Sequence, residues 1–155
     1  APRDEAVDNL LSYVKETKSN GGTLGSDPVV QQSTVENVIE AHVQSLLLKR
    51  TYWMYINRME VQYQGNLSNV HGRESSLRIT KRVRDVMGMA ALVDSHEPGA
   101  PFGGTQEVNQ RSKAGQNHGA GSTNIAKVVL ARRIGISRTQ ERAAPTRSTA
   151  TSSTG

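Results

Sequence analysis

The sequence predicts an all-α domain, a four-helix up-down bundle with a disordered C-terminal tail. Three observations carry that expectation. Apolar residues recur at helical spacing in four separate stretches, and the stretch from Pro28 to about Gln64 contains no further glycine or proline. Alternating apolar and polar residues, the mark of half-buried strands, are scarce throughout, and no internal repeat is apparent. A chain of 155 residues is one domain's worth and long enough to bury a core.

The first helix is expected over residues 4 to 18, where Ala6, Val7, Leu10, Leu11 and Val14 form one stripe, and it ends at Asn20-Gly21-Gly22. The second starts with Asp27 as N-cap and Pro28 in the first helical position. Val35, Val38, Ile39, Val43, Leu46 and Leu47 keep its period, and a run to Gln64 would make a spine of about 50 Å. Its segment Tyr52-Trp53-Met54-Tyr55-Ile56 is apolar nearly all round, which suits a place between other helices or in a subunit interface. Gly65 to Gly72 then reads as a loop, and Glu74 to about Val93 as the third helix, through Leu77, Ile79, Val83, Val86 and Met87.

From Ser95 to Gly121 the character changes. Glu97-Pro98-Gly99-Ala100-Pro101-Phe102-Gly103-Gly104 is non-helical, the polar run after it is ambiguous, and so long a connection is functional, interface-forming or disordered. The closing helix follows Gly119-Ala120-Gly121-Ser122-Thr123. Ser122 or Thr123 caps it, and Ile125, Val128, Val129 and the stem of Arg132 make one packing face. Small residues at 119 to 122 allow close approach of a ligand to the backbone, and a capped helix N-terminus attracts phosphate groups. The domain is expected to span residues 1–137, and residues 138–155, rich in Ser, Thr, Ala and Arg, to form the disordered tail.

The formal charge of +5 sits entirely in the last segment, where Lys127, Arg132, Arg133, Arg138, Arg142 and Arg147 face only Glu141. A basic end of this kind can meet nucleic acid or an anionic membrane. With one Phe and one Trp there is little to stack on bases, so a solvated face and tail, without a nucleic-acid partner, is the reading adopted. The absence of cysteine excludes disulfides, zinc-thiolate sites, iron–sulfur clusters and thiol nucleophiles. No apolar run is long enough for a membrane span and no secretory leader is present, so a soluble, cytoplasmic protein without membrane insertion is expected. The start at Ala1, with no initiator methionine, suggests a processed, trimmed or partial chain.

The string from Gly119 to Ile136 resembles the last active-site turn and closing helix of acyl-CoA dehydrogenases. That family carries Glu-Gly-Thr-Ser/Thr-x-Ile-x-Lys/Arg there, and this chain follows it at Gly121, Ser122, Thr123, Ile125, Lys127, Ala131, Arg132 and Arg133. Leu10 to Leu24 is similar to the end of the family's preceding helix. Asp27-Pro28-Val29-Val30-Gln31-Gln32 through Arg50 resembles the next helix, in the form found in bacterial and sterol-type members, and Arg84-Asp85-Val86-Met87-Gly88-Met89 stands in place of the Leu-Gly-Gly turn. The likeness covers residues 5 to 137, the family's C-terminal helical domain alone, without the amino-terminal helical and middle β-domains.

The resemblance implies α,β-dehydrogenation of an acyl-CoA thioester with FAD as cofactor, an electron-transfer acceptor, and homo- or hetero-oligomers. A carboxylate takes the α-proton while the β-hydrogen leaves as hydride to the flavin. The family's glutamate base is replaced here by Ala120, which has no proton acceptor, so the chain by itself is expected to be inactive. Some members carry that glutamate on a different helix, upstream of anything present in this chain. His118 is a candidate substitute base, against a plain loop histidine, and Glu97 and Glu107 are carboxylates of the preceding segment. Implied cofactor-binding residues are Gly121, Ser122, Asn124 and Gly88. The family's Arg and Phe before the second helix are replaced around Thr17, Lys18 and Asn20, and Met89 displaces one glycine, which weakens the expected flavin contacts. A non-catalytic oligomerisation or partner subunit of such an enzyme is the alternative.

Overall fold

A computed structural model of the chain describes residues 4–116 and 122–136. The described residues form α1 (Glu5–Glu16), a hairpin of β1 (Lys18–Ser19) and β2 (Gly22–Thr23), α2 (Pro28–Ile56), α3 (Gln64–Met87), α4 (Thr105–Gln116) and α5 (Thr123–Arg133). Short 3-10 turns lie at Leu24–Ser26, Gly88–Leu92 and Pro101–Gly104. The all-α class is as expected. The α-helix beyond the four expected, α4, is the polar run that the sequence left ambiguous, and the expected tail lies outside the described residues.

Local signals explain most boundaries. Asp4 Oδ1 accepts from the Ala6 N–H at 3.0 Å and caps α1, and Asp27 Oδ1 accepts from the Val29 N–H at 2.8 Å and caps α2 ahead of Pro28. Asn20 and Gly21, both at positive φ, close the antiparallel hairpin in which Lys18 pairs with Thr23. The buried core is small. Val7, Leu10 and Val14 of α1 meet Val30 of α2, then Ile79, Val83 and Met87 of α3 and Ala91 of the following turn. Each such side chain contributes on the order of 1.5–3 kcal/mol when fully buried.

α2 and α3 lie antiparallel. Arg82 Nε sits 2.9 Å from Glu36 Oε2, Arg78 Nε 2.8 Å from Glu40 Oε1, and His71 Nδ1 2.8 Å from Gln44 Oε1, so partners descend α3 as they climb α2. The inner face of α2 is therefore partly polar, with Thr34 and Asn37 buried. Part of its apolar period points the other way: Val35, Ile39 and Leu46 are 55%, 55% and 61% exposed, while Val38 packs against the core. In the Tyr52-to-Ile56 segment only Met54 is buried, and the two tyrosines, the tryptophan and the isoleucine face outward.

Two boundaries differ from the sequence expectation. α2 stops at Ile56 instead of Gln64, because Arg58 takes φ 53° and its N–H bonds to the Tyr55 carbonyl while the Met59 N–H bonds to the Met54 carbonyl. That is the hydrogen-bond pattern in which glycine usually ends a helix, here achieved by arginine after Asn57, so no glycine announces it. The second difference is the expected loop from Gly65 to Gly72, which is the first two turns of α3. Gly72 serves helix contact: a Cβ there would lie 2.8 Å from Gln44 Nε2. The segment Glu97 to Gly104 is non-helical apart from its 3-10 turn, in which Phe102 and Gly103 take positive φ. α4 then packs against α3, with Gln106 buried and Gln110 Nε2 donating to the Thr80 carbonyl at 2.9 Å.

Among the described residues no helix is long and apolar enough to cross a membrane.

Candidate functional site

The residues singled out for chemistry fall on the start of α5, the turn after α3, and the segment between them. Ala120, Gly121 and His118 lie outside the described residues. Ser122, Asn124 and Gly88 are described, and each occupies an element end.

Ser122 is the N-cap of α5, with extended backbone (φ −70°, ψ 155°) and Oγ accepting from the Ile125 N–H at 3.3 Å. Because Oγ accepts there, its own proton remains available to donate. The Ala126 N–H bonds to the Ser122 carbonyl at 3.1 Å, which leaves the first amides of the helix without intrahelical partners, and Asn124 on that first turn is exposed. This end of the molecule thus offers a hydroxyl donor, a side-chain amide and backbone N–H groups to an electron-rich ligand.

α5 is held in an unexpected way. The sequence expectation was a packing helix, yet no residue of α5 is buried, and Ile125 and Val128 are 61% and 49% exposed. What fixes it on α3 is polar: Lys127 Nζ pairs with Glu74, and Arg133 donates to the Gln62 carbonyl. Glu74 and Gln62 descend as Lys127 and Arg133 ascend, so α5 runs antiparallel to α3. Ala126, Val129, Leu130 and Ala131 are half-buried, whereas Ile125 and Val128 form a surface that the periodicity alone would place in a core.

Gly88 ends α3 with φ 58° and ψ −134°, a conformation that only glycine adopts without strain, and its N–H bonds to the Arg84 carbonyl. An added Cβ would meet nothing within 4 Å, and Met89 beside it is 79% exposed. The turn is therefore open to a ligand or a partner. From the Lys127–Glu74 pair, Gly88 lies about 21 Å up α3 and Ser122 about 8 Å back along α5, so the two are not brought together. They are separate ends, Gly88 a turn whose N–H is already bonded and Ser122 a helix start with donors exposed.

The carboxylates of the intervening segment are engaged or solvated. The Arg111 guanidinium lies 3.3 Å from Glu107 Oε2, and Glu97 is exposed. Sequence reasoning passed over Asp94 and His96. The His96 backbone N–H donates to Asp94 Oδ1 at 2.8 Å and the ring Nδ1 lies 2.6 Å from the same oxygen, so these bonds hold the Asp94 carboxyl below its ordinary value. The His96 side chain is 93% exposed, so the pair stabilises a turn in solvent. Among the described residues no three His, Asp or Glu side chains gather into a set able to hold a metal ion.

The described residues thus form an antiparallel helical domain with exposed apolar side chains on α2 and on the closing helix, and with donors exposed at the start of α5. Its sequence places it: the family model "Acyl-CoA dehydrogenase, C-terminal domain" matches residues 3–135, and the chain belongs to the acyl-CoA dehydrogenase family. No curated protein matches it by sequence. Among solved structures, the ChsE4-ChsE5 complex from Mycobacterium tuberculosis superposes with a TM-score of 0.74 at 20% identity, covering 83% of this chain and 34% of that one. The FAD complex of PigA gives 0.72 at 17% identity, over 84% and 32%. The prolyl acyl carrier protein oxidase AnaB gives 0.70 at 17%, over 84% and 32%. At these identities the likeness is one of fold. The chain spans about a third of the length of each of these structures.

Proposed function

We propose that this chain is the C-terminal helical domain of an FAD-dependent acyl-CoA dehydrogenase-like flavoprotein, acting on an acyl-CoA thioester within a larger polypeptide or complex. The observation that carries the reading is the family match over residues 3–135. The Ser122-capped start of α5 supports it, since its hydroxyl proton, amides and Asn124 are free to bind an electron-rich cofactor. Gly121, Ser122, Asn124 and Gly88 are the residues that would hold FAD, which supplies a hydride acceptor when bound. Ser122 donates through its hydroxyl, Asn124 through its amide, and Gly88 leaves room for close approach.

Ala120 offers no basic atom, so this chain supplies no proton acceptor at the position where the family's glutamate stands. His118 is the nearest residue in sequence able to accept one. The electron-transfer acceptor is a further partner, and the cytoplasm the compartment. The test uses the polypeptide with its upstream residues as its gene encodes them, purified with FAD. A yellow protein that bleaches on addition of acyl-CoA supports the reading, and a colourless one that stays inert, alone or with partner subunits, sinks it. Replacement Ala120→Glu should raise the bleaching rate; an unchanged rate argues against the missing-base account.

A second reading, a non-catalytic oligomerisation or partner subunit, is favoured by the outward face of α2, where Val35, Ile39, Leu46, Tyr52, Trp53 and Ile56 are all more than half exposed. Contiguous apolar surface of this kind marks association sites. Sedimentation of a clean monomer at micromolar concentration counts against it.

A further inference from the structure

α5 is fixed to the rest of the described chain at two polar points. Near its start Lys127 Nζ pairs with Glu74 of α3, and at its end Arg133 donates to the Gln62 carbonyl, about 9 Å further along the axis. The apolar contact between these points is shallow, because Ala126, Val129, Leu130 and Ala131 are only half-buried. Apolar contact is non-directional and tolerates sliding, whereas a pair of charges fixes register.

Glu74 is itself held in place. It opens a stripe on α3, continued by Arg78 and Arg82 at spacings of four, so all three face one way. Its Oε1 meets Lys127, and its Oε2 lies 3.9 Å from Arg78 Nη1. Arg78 Nε is in turn 2.8 Å from Glu40 Oε1 of α2; the same oxygen is 3.1 Å from Arg82 Nη1, and Arg82 Nε is 2.9 Å from Glu36 Oε2. Cations and carboxylates therefore alternate from α5 across α3 to α2, in the order Lys127, Glu74, Arg78, Glu40, Arg82 and Glu36. The α2 end of that row is the sheltered one: the Glu40 and Arg82 side chains are 17% and 22% exposed, against 35% and 50% for Glu74 and Lys127. Sheltered charges are screened least, so Arg78 is fixed firmly from that side and presents the Glu74 carboxylate to α5.

We propose that Glu74 is a positioning residue: it sets where the start of α5 lies on α3, and with it the Ser122 hydroxyl about 8 Å back along the helix and the Asn124 amide between them. It acts through Lys127 and touches neither donor. With Arg133 as the remaining polar anchor, α5 pivots about its C-terminal end, and the end farthest from that pivot, which carries Ser122 and Asn124, moves most. That these donors face a flavin rests on the functional reading above; that Glu74 places them rests on the ion pairs alone.

Amide exchange of residues 123–133 is measured in the 155-residue chain, with exchange in α1 as the control for global stability. An exposed pair shifts an equilibrium by a factor of about two to five, so Glu74→Gln should speed α5 exchange about threefold, and Glu74→Lys, which sets two ammonium groups and Arg78 together, about tenfold. Lys127→Arg keeps the charge and should leave exchange as in the parent chain. Adding Lys127→Glu to Glu74→Lys restores opposite signs and should return α5 most of the way, a recovery that damage to α3 would not allow. Unchanged exchange in Glu74→Lys, equal acceleration in α1, or no recovery in the double variant overturns the proposal. The second readout is the FAD dissociation constant of the polypeptide with its encoded upstream residues, followed by flavin fluorescence. It should rise at least about threefold in Glu74→Lys and fall back in the double variant, because only molecules with α5 in place bind. Equal FAD binding in all three proteins while α5 exchange moves overturns the positioning role. A parent polypeptide that binds no FAD rejects the flavoprotein reading, and the exchange series then decides the role of Glu74 by itself.

Discussion

Gly72→Ala sets two effects of similar size against each other. The added Cβ would lie 2.8 Å from Gln44 Nε2 and 3.1 Å from Gln44 Cδ, so the Gln44 amide must swing away. That movement forfeits its 2.8 Å bond to His71 Nδ1, a loss of about 1 kcal/mol for a part-buried side-chain pair. Against it, alanine in place of glycine inside a helix stabilises by about 1 kcal/mol. The single substitution should therefore change stability by less than about 0.5 kcal/mol. Gln44→Ala alone should cost about 1 kcal/mol, and Gly72→Ala in that background should recover about 1 kcal/mol because nothing remains to displace. Urea unfolding followed by helical circular dichroism, run as a double-mutant cycle, measures the coupling. If Gly72→Ala costs more than about 2 kcal/mol in both backgrounds, a backbone clash and not the Gln44 amide sets the limit, and the account of helix contact given above is wrong.

Three further outcomes are expected. Leu10→Ala, at a fully buried position in a small core, should cost about 2–5 kcal/mol, read from the urea midpoint; a cost below about 1 kcal/mol would mean that α1 is not the lid of the core. Ser122→Ala removes the α5 cap and should weaken that helix by about 1 kcal/mol, visible as faster amide exchange confined to residues 123–133, while Ser76→Ala leaves that exchange unchanged. The Asp94 carboxyl should titrate below its ordinary 3.8, chiefly through the His96 backbone N–H and then its ring. A depressed folded pKa contributes stability above the unfolded value and loses it as pH falls through the folded value, so the turn loosens only in acid. In an NMR titration His96→Ala should return the midpoint only part of the way, because the backbone donor remains.

How much of this was legible beforehand depends on the residue. Asp27-Pro28 and Ser122 act through hydrogen bonds within a few positions of themselves and do in the structure what local rules predict, whereas Asn20-Gly21, read as the end of the first helix, closes a hairpin after that helix has stopped at Glu16. The α2 stop was not legible, because Arg58 takes the left-handed conformation that glycine usually supplies. Gly65 and Gly72 were read as loop because propensity counts only the local cost, while the role of Gly72 lies in the close approach of Gln44 from α2. Of the candidate site, Ser122 and Gly88 stand at element ends, whereas Ala120, Gly121 and His118 lie outside the described residues.

The sequence by itself determined the all-α class, the caps, and the family, because helical period and cap chemistry are properties of neighbouring residues and the motif from Gly121 to Arg133 is contiguous. Only the tertiary structure decided which faces are inward. α2 turns Val30, Thr34 and Asn37 toward the core side and Val35, Ile39 and Leu46 outward, α5 is docked by Lys127 and Arg133 with Ile125 and Val128 exposed, and a groove remains between α2 and α3. The physical reason is that periodicity says a helix has an apolar face without saying what covers it. That depends on which elements lie within reach, and here the described elements are too few to cover all the faces the sequence provides.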